Sequence, residues 1–308
     1  MPHIRKQTAA VRIRKNLPYL FLVLPACIYL LIFNYLPMFG VVLAFKKFSY
    51  RKGILGSPWA GWTNFSYFFT SQDAFRVTFN TIVYNIAFII LGTLAAILVA
   101  LLLYEVPRRG VLKYAQTTMI LPHFLSWVIV AYMVLLLLNP QYGLLNQLIV
   151  SLGGESVSWY SETKYWPAIL IICHIWKGVG MGCILYYAAL MGIDESLFEA
   201  AELDGANRIQ QIVHISLPSL IPIMCIQLIM ATGGIMRGDF GLFYQVPMDV
   251  GMLYPVTDVI DTYIYRFMIS GNMGISSSVG LFQSLVGLIL VVSTNALVRK
   301  ISYENRMF

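Results

Sequence analysis

Apolar runs of about 20 residues recur along this chain, and each is long enough for a helix to cross roughly 30 Å of hydrocarbon. Six can be placed, at about residues 18–42, 78–103, 117–138, 166–190, 218–236 and 279–298. A backbone in hydrocarbon must satisfy its own hydrogen bonds, so runs of this length read as helices. Composition agrees: 58% of the 308 residues are hydrophobic and 11% are charged, where soluble domains carry roughly 25% charged residues. The predicted fold class is all-α, a polytopic membrane protein with six transmembrane helices whose core is completed by lipid and partner helices. The transmembrane domain spans 18–298, with an N-terminal segment at 1–17 and a tail at 299–308.

The N-terminus is basic (Arg5, Lys6, Arg12, Arg14, Lys15) and precedes an apolar run, as in a signal peptide. The run from Leu17 to Val42 is too long for an h-region of about 7–15 residues, and no small-residue cleavage site follows it, so it reads as an uncleaved first span. An even number of spans puts both termini on one side. With that side inside, the inner segments carry twelve Lys and Arg (Arg5, Lys6, Arg12, Arg14, Lys15, Arg108, Arg109, Lys113, Arg208, Arg299, Lys300, Arg306). The outer segments carry eight (Lys46, Lys47, Arg51, Lys52, Arg76, Lys164, Arg237, Arg266), and Lys177 falls within a span. The bias places both termini in the cytoplasm. The first outer segment runs against it, and the basic N-terminus outweighs that exception. The net charge of +7 is therefore membrane-flanking charge, matched to anionic headgroups, and does not imply nucleic acid.

The loops differ in character. Residues 43–77 are rich in aromatics (Phe45, Phe48, Tyr50, Trp59, Trp62, Phe65, Tyr67, Phe68, Phe69), as expected of a segment at headgroup level. Residues 139–165 read as an ordinary loop, and 237–278 contain a short amphipathic helix over Asp258–Ile269. Cys27, Cys173, Cys183 and Cys225 lie in apolar segments without CxxC spacing, which reads as packing thiols rather than disulfides or a metal site.

The loop at 191–217 is the polar insert of the chain. Ser196 and Glu199 have the spacing of a capping box, which predicts a helix from Leu197. Gly205 can end it in a left-handed conformation. A helix of about two turns is not stable alone in water and needs a surface to pack against. Ala200 and Ala201 allow close approach, and Glu199, Glu202 and Asp204 offer charge to a basic partner. On helix chemistry alone, a solvated and well-capped loop explains the same residues.

The order Glu199-Ala200-Ala201-Glu202-Leu203-Asp204-Gly205-Ala206, followed by Ile215-Ser216-Leu217-Pro218, resembles the EAA loop of binding-protein-dependent ABC importer permeases of type I, the MalF/MalG-like superfamily. Trp59-Ala60-Gly61-Trp62-Thr63-Asn64-Phe65 and Asn80-Thr81 resemble the segment before the second span of its sugar-type members. Asp261-Thr262-Tyr263-Ile264-Tyr265-Arg266 and Val279-Gly280-Leu281-Phe282-Gln283-Ser284, leading to Asn295, resemble the LplB/YtcP-like subgroup that handles complex oligosaccharides. The resemblance implies a permease subunit of a carbohydrate importer. Its partners would be a second, paralogous permease, two ABC ATPases gripping the loop through Glu199, Ala200, Ala201, Asp204, Gly205 and Ala206, and an extracytoplasmic solute-binding lipoprotein. It implies no cofactor and no catalytic or metal residue on this chain, with ATP and Mg held by the ATPases. The chain carries no G-x-x-x-x-G-K-[ST] and is not itself the ATPase.

Candidate path residues are Trp176 and Lys177 in the fourth span and Arg237 and Asp239 after the fifth. A Lys near mid-span costs about 2.5–3.5 kcal/mol on insertion scales, so it faces protein or a water-filled cavity. Trp176 would stack on sugar faces. The plainer readings are a Lys satisfied at a protein contact and an Arg–Asp pair at a helix end. Gly178 and Gly182 suggest a close helix-packing face. An ion-driven secondary transporter would require several intramembrane carboxylates, and a membrane enzyme a clustered constellation. The span interiors have almost no carboxylates, and His123, His174 and His214 are scattered. Within the importer reading, peptide, amino acid or phosphate cargo is set aside by the subgroup resemblance alone.

Overall fold

The computed structural model describes residues 9–301; the expectations for the outermost N-terminal residues and for most of the C-terminal tail fall outside them. The principal helices are α1 (Ala9–Leu30, continued by a π turn over Leu31–Tyr35 and a 3₁₀ stretch over Leu36–Phe45), α2 (Thr63–Thr70), α3 (Gln72–Tyr104), α4 (Arg109–Ile120), α5 (Trp127–Leu137), α6 (Leu144–Ser151), α7 (Trp166–Leu190), α8 (Glu195–Leu203), α9 (Arg208–Gln211), α10 (Leu217–Gly233), α11 (Ile260–Ile269) and α12 (Met273–Ile301). The described residues contain no strand, only one isolated bridge between Lys46 and Trp59.

Five stretches are long and apolar enough to cross a membrane: Asn16–Phe45, Gln72–Tyr104, Thr163–Leu190, Arg208–Gly233 and Met273–Ala296. The sixth is bent. The run expected as one straight span over 117–138 is two helical pieces, Arg109–Phe124 and Trp127–Leu137, meeting at 97°. The cause is local. Pro122 starts a short 3₁₀ turn, Leu125 is extended, and the Ser126 hydroxyl accepts the Ile129 N–H, which starts a new helix.

α3 and α7 run side by side at the centre with α10 against them, while α12 packs on α10 and α11 and receives the end of α1. Three apolar clusters hold this arrangement. One joins Tyr84, Phe88, Val130, Trp166, Leu170 and Phe243. A second joins Ala96, Ala100, Cys183, Tyr186, Leu190 and Leu220 near the 191–217 loop, and a third joins Phe68, Val77, Met236, Ile260 and Tyr263 at the opposite end. Small residues let the helices approach. A Cβ on Gly180 would stand 1.8 Å from the Met119 carbonyl oxygen, so α4 passes over α7 at that glycine. The expected close-packing positions differ: Gly182 meets Ala96, whereas Gly178 faces open space. The outward faces are apolar, with Phe21, Leu22, Phe39, Leu94, Leu98 and Ile289 exposed, as befits helices solvated by lipid chains.

α11, in the long segment before the last span, is anchored from beneath by Asp258. Its side chain is fully buried and accepts from Arg76 Nη2 at 3.1 Å, from Arg266 and from Thr262 Oγ1 at 2.8 Å. A buried carboxylate is tolerable only when paired and fully hydrogen-bonded, as here.

Candidate functional site

A cleft of about 340 Å³ opens between α3, α7 and α10, within the membrane-spanning segments. Its polar groups come from Asn85 and Thr93 on α3, His174 and Tyr186 on α7, and Gln227 on α10. Glycines keep it open: Gly178 has nothing within 4 Å of a built Cβ, and Gly92 likewise. The Asn85 amide donates to Thr81 O (2.8 Å) and Arg237 O (3.0 Å), tying the mouth of the cleft to the end of the fifth span. The His174 ring stacks on Phe88, with centroids 3.8 Å apart and planes 8° apart, and lies within the fields of Asp239 and Lys177. Polar groups are expensive inside a bilayer and mark water-filled paths. This arrangement can pass a hydrated, hydroxyl-rich solute between weak hydrogen-bonding groups, with no tight site to hold it.

The sequence-predicted path residues are not gathered in this cleft. Lys177 turns to the bend in the third span, where its ammonium donates to His123 O at 2.8 Å and lies 5.2 Å from the Trp127 ring centroid. Trp176 is 40% exposed and does not line the cleft. Arg237 is exposed, and Asp239 accepts the Leu242 N–H at 3.2 Å. Among the described residues these two form no ion pair with each other. The residues that do line the cleft carried a signal: His174, Gly178, Gly182 and Tyr186 recur every four residues on one helix face, as do Asn85 and Thr93 two turns apart.

The 191–217 loop folds back as α8 and α9. α8 begins two residues earlier than the Ser196–Glu199 spacing predicts. Its cap is Asp194, whose carboxylate accepts the Ser196 N–H at 3.0 Å; that bond holds the Asp194 carboxyl below the usual carboxylate range. A full capping box forms instead at α9, between Asn207 and Gln210. At the other end Gly205 takes φ 78°, its N–H donates to Glu202 O at 3.0 Å, and Ala206 N–H donates to Ala201 O at 2.9 Å. This is a Schellman closure, and it fixes why Ala201, Gly205 and Ala206 need their spacing. Glu199, Ala200, Asp204 and Gly205 are exposed, and Ala201 and Ala206 are half-buried. Leu197 and Leu203 are exposed too, Leu203 to 90%, on a segment too polar for the bilayer, and Ile209 is exposed on α9.

Residues 89–303 match the family described as binding-protein-dependent transport system inner membrane component. The chain is 38% identical over 288 residues to the polygalacturonan/rhamnogalacturonan transport system permease protein YteP of Bacillus subtilis, covering 93% of this chain and 89% of the relative. It is 36% identical over 284 residues to protein LplB of the same organism, covering 92% and 89%. A solved bacterial ABC transporter involved in import of the acidic polysaccharide alginate has a chain with which this one shares 33% identity and a TM-score of 0.88, over 96% of this chain and 100% of that one. A second structure of an alginate transporter, in complex with a periplasmic protein holding an alginate pentasaccharide, gives 32% and 0.87. The chain belongs to the family of inner-membrane permeases of binding-protein-dependent transport systems. It is a multi-pass membrane subunit, and such permeases are not themselves ATPases.

Proposed function

We propose that this chain is the permease subunit of an ATP-driven importer of acidic oligosaccharides, working with a solute-binding protein, ABC ATPases and a second, paralogous permease. The observation that carries the reading is the full-length likeness, at 33% identity and TM-score 0.88, to a permease from a transporter of an acidic polysaccharide. The polar cleft between α3, α7 and α10 is the half of the path this chain supplies, with Asp239 and Arg237 at its end. α8 is the part that docks on an ATPase through Glu199, Ala200, Ala201, Asp204, Gly205 and Ala206. Its exposed Leu197 and Leu203 supply apolar contact that no lipid covers, and its carboxylates supply charge. ATP and Mg are held by the ATPases. The termini and α8 face the cytoplasm, since loops after even-numbered spans lie on the side of the N-terminus.

The test is reconstitution of the importer with its binding protein in proteoliposomes, measuring ATP-dependent uptake of a uronic-acid oligosaccharide against a neutral one of equal length. Uptake of the acidic cargo with stimulation of ATP hydrolysis is expected. Uptake of a peptide or amino acid in its place would overturn the cargo reading.

A further inference from the structure

The first outer segment carries cations where the charge bias forbids them, and the structure gives them a setting. A second pocket, of about 480 Å³, lies between the segment after α1, the start of α2 and the start of α12. Lys47, Trp59, Asn64, Tyr67 and Asn272 are among its walls. It is a built feature. Lys46 folds the segment by donating from Nζ to Ile54 O at 2.9 Å and Leu55 O at 2.8 Å, and Asn64 holds Ala44 O and Lys46 O at 2.8 and 3.1 Å. Gly274 sits so close that a Cβ there would stand 2.7 Å from both Asn64 Nδ2 and Lys46 O.

The charge around this pocket has one sign. No Asp or Glu precedes Asp73 in the chain, and none occurs from 262 to 303. Asp73 and Asp258 are taken by Arg76. Lys47, Arg51 and Lys52 make no side-chain hydrogen bond or ion pair among the described residues. Tyr50, just before Arg51, lies 3.6 Å from the Cβ position of Gly271, on the pocket's edge.

The position decides what fills it. The pocket lies where the first span ends and the last begins, at headgroup level on the face opposite α8, and shares no residue with the cleft. Trp59, Trp62 and Tyr67 are exposed beside it, as aromatics are at a membrane interface, and Leu55 is 90% exposed. An anionic headgroup there would meet Lys47, the unpaired cation in the pocket wall, with Arg51 and Lys52 on the adjoining turn, while its acyl chains lie along the apolar faces of α1 and α12. We propose that this pocket binds the phosphodiester headgroup of an anionic phospholipid in the leaflet opposite α8, which is why the first outer segment keeps its cations against the usual charge bias. The inference rests on the membrane-spanning fold and stands apart from the cargo.

The probe is phosphatidylglycerol against phosphatidylcholine. The importer, purified in detergent with its partner subunits, is given an equimolar mixture, and retained lipid is counted by native mass spectrometry. Wild type retains phosphatidylglycerol selectively. Each cation near a headgroup contributes ~1 kcal/mol, about fivefold in affinity. Lys47→Gln should therefore weaken selective retention about fivefold, and the triple change of Lys47, Arg51 and Lys52 to Gln should abolish it. Lys47 makes no side-chain contact that folding depends on. Lys164→Gln, on the same face outside the pocket, should change nothing. Undiminished selectivity in the triple variant overturns the proposal, and so does equal loss in Lys164→Gln, which would mean diffuse surface charge. Displacement of the lipid by a soluble uronic-acid oligosaccharide would make the pocket a cargo site and overturn it too.

Discussion

The Lys177 ammonium, midway along α7, is the donor that the His123 carbonyl finds, at 2.8 Å. His123 lies in the last turn before the 97° bend, where the helix stops and its final carbonyls lose their partners. Broken backbone at membrane depth persists only where something satisfies it. A cation at the carbonyl end of a helix also meets the negative end of its dipole. The charge that makes Lys177 conspicuous in the sequence is thus matched to a break in a neighbouring span.

Lys177→Met should therefore act on stability before selectivity. Losing this hydrogen bond from a charged donor costs about 1.5–3 kcal/mol. The detergent-solubilised importer should melt lower, with uptake of acidic and neutral oligosaccharides reduced by the same factor. Selective loss of the acidic cargo at unchanged melting temperature would return Lys177 to the path.

Gly180 and Gly178 make a matched pair on one helix. A Cβ at Gly180 would run into the Met119 carbonyl, and backbone cannot yield as a side-chain tip can. Overpacking typically costs 1–3 kcal/mol, so Gly180→Ala should lower the melting temperature sharply or prevent assembly. Gly178→Ala adds a methyl to open space in the cleft. It should fold normally and slow uptake of bulky cargo. Equal melting temperatures for the two variants would refute the packing account.

Much of this was legible in the sequence, and the limits have physical causes. Span number follows from apolar length, because the bilayer fixes how many residues a crossing needs. The Gly205 turn was legible because only glycine takes φ 78° without strain. The bend was not, since Pro122 and Ser126 lie within an unbroken apolar run and hydropathy ignores dihedral angles. The cap at α8 was missed because Ser196 and Asp194 both suit that role, and the choice depends on where the chain leaves α7. Lys177 stood out in the sequence as a charge inside a span, but its partner lies 54 residues away in sequence. Asn85, Thr93 and Gln227 are single polar residues on apolar helices, and only the packing of three helices brings them together.

Gly205→Ala tests the loop. The Cβ would clash with nothing, so the penalty is backbone strain alone, about 1–2 kcal/mol for a left-handed residue. The Schellman closure should open and α8 fray from its C-terminus. Membrane insertion and cargo binding to the solute-binding protein should stay normal, while cargo-stimulated ATP hydrolysis falls severalfold. Gly205→Asn, which tolerates that φ better, should recover part of the loss. Wild-type hydrolysis in Gly205→Ala would remove the link between this turn and coupling.

Asp261 gives a pH dependence whose sign can be worked out. Its carboxylate, on α11 outside the spans, accepts the Gly238 N–H and, at 2.9 Å, the amide of Gln283 on the last span. Burial pushes its carboxyl above the ordinary range, outweighing those bonds and the pull of Arg237. The folded protein then binds a proton that the unfolded chain has released. The resulting stability is fully present below the ordinary carboxyl value, about 4, and is lost as pH rises through the raised folded value. Asp261→Asn keeps an acceptor for Gly238 and cannot ionise. The melting temperature of wild type minus that of the variant should therefore fall as pH is raised from about 4 towards neutrality, and level off above the folded value. Tryptophan fluorescence melts of the detergent-solubilised importer at stepped pH would measure it. A difference that stays flat, or that grows with pH, would mean the charged form is the one this fold prefers.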